Sequence, residues 1–182
     1  MARPPIHPNL VLIGFMGAGK SEVGRLVAQA LGREFLDTDE MVIHAAQLPV
    51  EEIFRREGEH GFRRRESSAI DEAISSPARV IAVGGGAVLS AENRTVLKQA
   101  GYLVYLRATP ETLAARLGDV DDRPLLNVSD RVGRIRDMLV ARGPVYETAG
   151  DVTLDTDETT PVQVADRVVR WYRDQAERVG MS

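Results

Sequence analysis

The stretch Leu10-Val-Leu-Ile-Gly-Phe-Met-Gly-Ala-Gly-Lys-Ser21 decides the fold. Its first four residues form an apolar run too short for a helix and closed by Gly14, which predicts a buried strand. From Gly14 to Ser21 the chain fits the pattern G-x-x-x-x-G-K-[ST]. Glycines in that pattern let the backbone curl until successive N–H groups point inward, and the helix that follows adds its partial positive charge. Such a cradle suits a polyphosphate. Lys20 is placed to reach its β- and γ-phosphates, and the Ser21 hydroxyl to ligate Mg²⁺. The helix is legible too: Val23, Leu26, Val27, Ala30 and Leu31 fall on one stripe, and Gly32 follows as a stop signal.

Strands and helices alternate outward from this unit. Apolar runs at residues 34–36, 79–83, 102–106 and 152–154 read as further strands. Helical patterns cover about 40–46, 50–56, 61–74, 92–99, 110–117, 130–141 and 162–176. Continuous apolar strands separated by helices predict a three-layer α/β fold, with a parallel sheet covered on both faces. Ligands of such sheets bind beyond the carboxyl ends of the strands. The length of 182 residues fits one domain, with the proline-rich residues 1–8 as a loose tail.

Composition narrows the partners. A net charge of -4 and a pI of about 5.5 argue against a nucleic-acid footprint, which needs a basic surface. The sequence has no apolar run of membrane-spanning length and no signal core at its start, so a cytoplasmic location is expected. Cysteine is absent, which removes thiolate metal sites and cysteine nucleophiles. Only Lys20 and Lys98 represent lysine among 23 basic residues. Ala100 stands where the aspartate of a guanine-reading Lys-x-Asp segment would lie, so ATP is the expected nucleotide. The third strand runs into Gly84 rather than a metal-binding aspartate, which points away from motor ATPases and toward small-molecule kinases.

Five segments could contribute to an acceptor site. Asp37-Thr-Asp39 follows the second strand, and its carboxylates either face the crevice together or cap a helix. Within Phe62-Arg-Arg-Arg-Glu66, Arg63 flanks the apolar stripe of Phe62, Ala69, Ile70 and Ala73, whereas Arg64 points away. The planar fork of Arg63 would suit a carboxylate. Gly84, Gly85 and Gly86 either let backbone approach a ligand or form a flexible turn. The polar stretch 118–127 reads as a surface loop, or as a lid that delivers Arg123 and excludes water. Arg142, in an Arg-Gly-Pro segment read as following a helix, adds one more cation.

Taken together, the segments at 14–21, 37–39, 62–64, 84–87, 123–126 and 142–146 resemble shikimate kinases, in order and spacing, over almost the whole chain. The resemblance implies a nucleoside-monophosphate-kinase-like P-loop fold, with a five-stranded parallel sheet in the order 2-3-1-4-5 and a mobile lid at about 117–127. It implies transfer of the ATP γ-phosphoryl group to the 3-hydroxyl of shikimate, on the route to chorismate and aromatic amino acids, by a monomer using Mg²⁺. By matching position, Gly17, Ala18, Gly19, Lys20, Ser21 and Glu22 would contact ATP, with Arg116 near adenine and Arg123 on the phosphates. Asp39 would hold the acceptor hydroxyls and take the proton, so that Asp39, Lys20 and Arg123 carry the chemistry. Arg63, Arg142 and the Gly84–Gly86 backbone would hold shikimate, and Ser21 with Asp37 the metal. Two departures stand out. Glu22 replaces the family's usual threonine and either weakens triphosphate binding or, as is expected, points away and complements the helix dipole, and residues 155–161, which match the segment over adenine, are acidic.

Overall fold

The computed structural model describes residues 8–118 and 130–178. Strand β1 (Asn9–Ile13) is fully buried and forms the middle of a five-stranded sheet. It pairs in parallel with β3 (Val80–Ala82) on one side and β4 (Gly101–Arg107) on the other. Strand β2 (Phe35–Asp37) adds to β3 and β5 (Val152–Asp155) to β4, giving the order β2-β3-β1-β4-β5 that the resemblance implied.

The alternation of side chains along β1 splits the core in two. Leu10 and Leu12 pack with Val23 and Val27 of helix α1 (Lys20–Leu31), Leu113 of α5 (Pro110–Leu117) and Val168 of α7 (Pro161–Arg178). Val11 and Ile13 face Ile70 of α3 (Val50–Ala73), Leu97 of α4 (Ala91–Ala100) and Tyr146 of α6 (Arg131–Ala149). A smaller cluster of Val42, Ile53, Phe62 and Ala69 joins α2 (Thr38–Ala46) to α3. Helix α1 approaches the sheet so closely that a Cβ on Gly24 would lie 2.4 Å from the Phe35 ring. None of the described helices is long and apolar enough to cross a membrane.

Three departures from the sequence expectation bear on the site. Helix α2 begins at Thr38 rather than near residue 40, because the Asp37 side chain caps it. Helix α3 contains Gly58 at φ 69° and ψ -177°, which breaks it between the two expected helices. Helix α6 runs through Pro144 to Ala149, so Arg142 lies within a helix and not after one. Pro144 has no N–H to give the carbonyl of Val140, but Val140 is 75% exposed and water can serve that group. Burial of Tyr146 and Ala149 outweighs the break. At the other end of the sequence, Pro8, assigned to the tail, is buried, and its carbonyl accepts from Arg33 at 3.0 Å. The rest of the expected tail, most of the expected lid, and Arg123 lie outside the described residues.

Candidate active site

A cleft of about 520 Å³ opens at the carboxyl edge of the sheet. The loop from Gly14 to Gly19 forms its floor. Gly14 (φ 146°) passes so near β4 that a Cβ would sit 2.5 Å from the Leu106 carbonyl oxygen, so only glycine fits. The Lys20 ammonium curls over the loop and donates to the carbonyls of Gly14 (2.9 Å) and Phe15 (3.0 Å). A cation thus stands at the centre of a ring of backbone groups, at the head of α1. Gly17, Ala18, Gly19, Lys20, Ser21 and Glu22 all border the cleft. Glu22 is exposed in the first turn of α1, where its charge complements the helix dipole while remaining at the cleft's edge.

The far end is closed by Arg116, Leu117, Thr156, Thr159 and Pro161. Arg116 donates to the Thr156 hydroxyl (2.9 Å) and carbonyl (2.5 Å), which lays its guanidinium along the cleft wall. Two of the three acidic side chains of this segment, Asp155 and Asp157, have partners of their own. Asp155 pairs with Arg107 at 2.6 Å, which holds its carboxyl below the ordinary range. Asp157 accepts from the Thr109 N–H (3.0 Å) and hydroxyl (2.9 Å) at the start of α5.

At the near end, both readings of Asp37 hold at once. Its Oδ1 accepts from the N–H groups of Asp39 (2.9 Å) and Glu40 (3.3 Å) and so caps α2. Its Oδ2 accepts from the Ser21 hydroxyl at 2.5 Å. The geometry that brings Asp37 and Asp39 into one cleft is therefore a strand end followed by a helix turn, not extended chain.

Beyond Asp39 lies the three-glycine turn. The Thr38 hydroxyl accepts from Gly84 N–H at 3.1 Å, tying the turn to the start of α2. A Cβ on Gly84 would lie 2.6 Å from carboxylate oxygens of both Asp39 and Glu66, which places those two oxygens within about 5.2 Å of each other. A Cβ on Gly86 would lie 2.3 Å from the Arg63 guanidinium. None of these glycines has a positive φ among the described backbone. At Gly84 and Gly86 the ends of charged side chains occupy the space a Cβ would take, so a larger residue there would displace Asp39, Glu66 or Arg63. Gly85 meets the loop itself: a Cβ there would be 3.3 Å from the Met16 nitrogen, so the turn and the phosphate loop share a wall.

Arg63 is half-buried and pairs with Glu66 at 2.8 Å, while Arg64 is exposed against His60. Arg142 stands over the Phe15 ring at 5.9 Å and beside the buried Tyr146 hydroxyl, which itself donates to the Gly85 carbonyl. The segments at 37–39, 63, 84–86 and 142 therefore converge. Glu66 and Tyr146 were given no role from sequence. Glu66 follows Arg63 by three residues, a spacing that puts two helical side chains on one side. Burial raises the Glu66 carboxyl above its ordinary value, Arg63 and Arg142 oppose that rise, and the charge of Asp39 adds to it. Lys98, the other lysine, is structural: it donates to the Thr148 carbonyl at 3.1 Å near the end of α6.

The family model for shikimate kinase matches residues 16–173. The chain belongs to the shikimate kinase family. A shikimate kinase of Symbiobacterium thermophilum is 44% identical over 172 residues, 93% of this chain and 99% of that one. One from Neisseria gonorrhoeae is 45% identical over 148 residues, 81% of this chain and 87% of its own. The solved shikimate kinase from Acinetobacter baumannii in complex with shikimate superposes with a TM-score of 0.89 at 39% identity, covering 93% of this chain and 94% of that one. Membership of the shikimate kinase family makes this chain an ATP-dependent phosphotransferase of the shikimate pathway.

Proposed function

We propose that this chain moves the γ-phosphoryl group of ATP to the 3-hydroxyl of shikimate, with the residues of the cleft in the following roles. The observation that supports this reading most is the shared wall at Gly85 and Met16, which sets an acid-recognising pocket directly against a polyphosphate cradle. Phosphoryl transfer asks mainly for alignment and charge neutralisation. Loop N–H groups and Lys20 hold the phosphates, Arg116 lies beside the base, and Arg123 would add a cation from outside the described residues. Arg63 and Arg142 grip the acceptor carboxylate, supported by the Gly84–Gly86 backbone. Asp39 orients the hydroxyl and takes its proton late, when the bond to phosphorus has largely formed.

Ser21 and Asp37 suit Mg²⁺, because one hydroxyl and one carboxylate are the small protein share that this ion takes when phosphates and water fill the other positions. Bound there, it would neutralise charge on the phosphate oxygens. A monomer suffices, since every group named comes from one chain.

The test is coupled ADP release with Mg-ATP and shikimate, gluconate or AMP offered separately. Turnover with shikimate alone is the expected result. Preference for gluconate, which also carries a carboxylate, would reassign the acceptor, and no turnover with any of the three would leave an ATP-binding module.

A further inference from the structure

Tyr146 lies four residues after Arg142, so both side chains leave α6 on the same face. Its ring is wholly buried and stacks on Tyr105 of β4, with centroids 5.2 Å apart and planes 22° apart. Packing therefore fixes the ring, and the hydroxyl has little freedom to wander. That hydroxyl donates to the Gly85 carbonyl and sits against the Arg142 guanidinium. A phenol has one proton to give and lone pairs to receive with, so one oxygen can serve both neighbours. Burial pushes the phenol up to about 12, so it stays a donor across the working range of any enzyme near neutrality.

The Gly85 carbonyl belongs to the same planar unit as the Gly86 N–H. No described peptide bond is cis, so the two groups point in opposite directions. Pinning the carbonyl toward α6 therefore aims the Gly86 N–H away from α6, on the glycine whose Cβ position is taken by the Arg63 guanidinium. One hydroxyl thus sets the direction of a turn peptide and the resting place of Arg142.

We propose that the Tyr146 hydroxyl is a positioning group for the acceptor half of the site, fixing the Gly85–Gly86 peptide and the reach of Arg142 as one unit. The proposal rests on the reading that the acceptor acid binds between this turn and the two arginines. Tyr146 touches no reacting atom. Its effect is felt in acceptor binding and leaves the nucleotide alone.

The experiment compares Tyr146→Phe and Tyr105→Phe with the native protein in shikimate and ATP titrations. Phenylalanine at 146 keeps the stack and deletes the donor, leaving a buried carbonyl without its partner. An unmade buried hydrogen bond of this kind should raise the KM for shikimate about 10-fold, with the KM for ATP and kcat within about 2-fold. Tyr105→Phe removes a hydroxyl from the same stack on the side of Arg107 and Glu147, and should move neither KM. An unchanged shikimate KM in Tyr146→Phe overturns the proposal, as does an equal rise for both substrates, which would mark the hydroxyl as a general prop. Should the phenylalanine variant not fold, a fluorinated tyrosine of lower phenol pKa at 146 replaces it. Its donor is lost as pH rises, so its shikimate KM must climb with pH while the native value stays level, and a level profile overturns the proposal. If the native protein fails to phosphorylate shikimate at all, the functional reading falls instead, and the two failures are told apart.

Discussion

The end of the cleft that we propose for polyphosphate comes from one stretch of chain, 14–21, while the end that we propose for the acceptor is assembled from four: 38–39, 63–66, 84–86 and 142–146. At the first end the cleft is lined by consecutive residues of one loop and helix start, with the Lys20 ammonium and the Ser21 hydroxyl next to each other in sequence. At the second end each charged side chain is held by another: Arg63 by Glu66, Arg142 beside Tyr146, Asp39 near Glu66 across Gly84. The lesson concerns coupling. Damage to the loop should act on its own, whereas damage to the acceptor network should spread among its members, because buried polar groups that share partners do not behave additively.

The largest effect is expected at the loop. Lys20→Ala removes the cation at the centre of the cradle and should lower kcat about 10³-fold, at the upper end of the loss seen for one preorganised charge-stabilising group. The two carbonyls it serves belong to the buried residues Gly14 and Phe15, so Tm should drop somewhat while circular dichroism reports an intact fold. Substantial residual activity would break the assignment of this end to phosphate. Asp37→Asn comes next. Asparagine caps helices as well as aspartate does, so Tm should stay within about 3 °C while kcat falls about 10²-fold through loss of charge beside Ser21. Asp37→Ala should show the same kinetic loss and a further destabilisation of about 1 kcal/mol. If asparagine restored full activity, Asp37 would be a helix cap and nothing more.

How much could be read in advance divides along the same line. The loop was legible because its chemistry and its spacing are local: Gly14 through Ser21 carry strand end, turn and helix start in consecutive residues. The sheet order and the specific roles of the acceptor residues come from the resemblance, the acceptor segments themselves are legible as candidates, and their convergence needs coordinates. Arg63 was correctly set apart from Arg64 by helical angle alone. Glu66 has no role legible in the sequence, because nothing in the local pattern says that Gly84 will pack against it. The extent of α6 was underestimated because Pro144 ordinarily ends a helix, and the burial of Tyr146 that overrides it is a tertiary fact. The three glycines read as a place for backbone to meet a ligand or as a flexible turn; in the structure Gly84 and Gly86 leave room for Asp39, Glu66 and Arg63, and Gly85 packs on the Met16 backbone.

Within the acceptor half, Arg63 and Arg64 provide an internal contrast one residue apart. Arg63→Ala should raise the KM for shikimate about 30-fold, the effect of about 2 kcal/mol lost from a largely desolvated charged contact. Arg64→Ala, on the exposed side against His60, should leave both KM values within about 2-fold, as surface changes away from a site do. Titrations of shikimate at saturating ATP separate the two. Equal losses would mean that the face of α3, not the individual guanidinium, governs binding.

The smallest effect sharpens the comparison most, because it asks whether Glu66 belongs to the fold or to the site. Burial raises its carboxyl above the ordinary 4.5 more than Arg63 lowers it, so the native state holds this proton more tightly than the unfolded chain does. A group shifted upward stabilises the fold fully below its unfolded pKa, and that contribution is lost as pH climbs through the raised value. Glutamine at 66 does not titrate. The stability of the native protein minus that of Glu66→Gln should therefore be constant below about pH 4.5, fall as pH rises above it, and level off once the buried group has ionised. The direction of this change is read by urea unfolding at closely spaced pH values. A difference that grew with pH would reverse the sign. It would mean that Arg63 more than compensates for burial, and that this ion pair supports the fold outright. The fall expected here means instead that the protein keeps an unfavourably buried carboxyl group in contact with Arg63 beside the glycine turn.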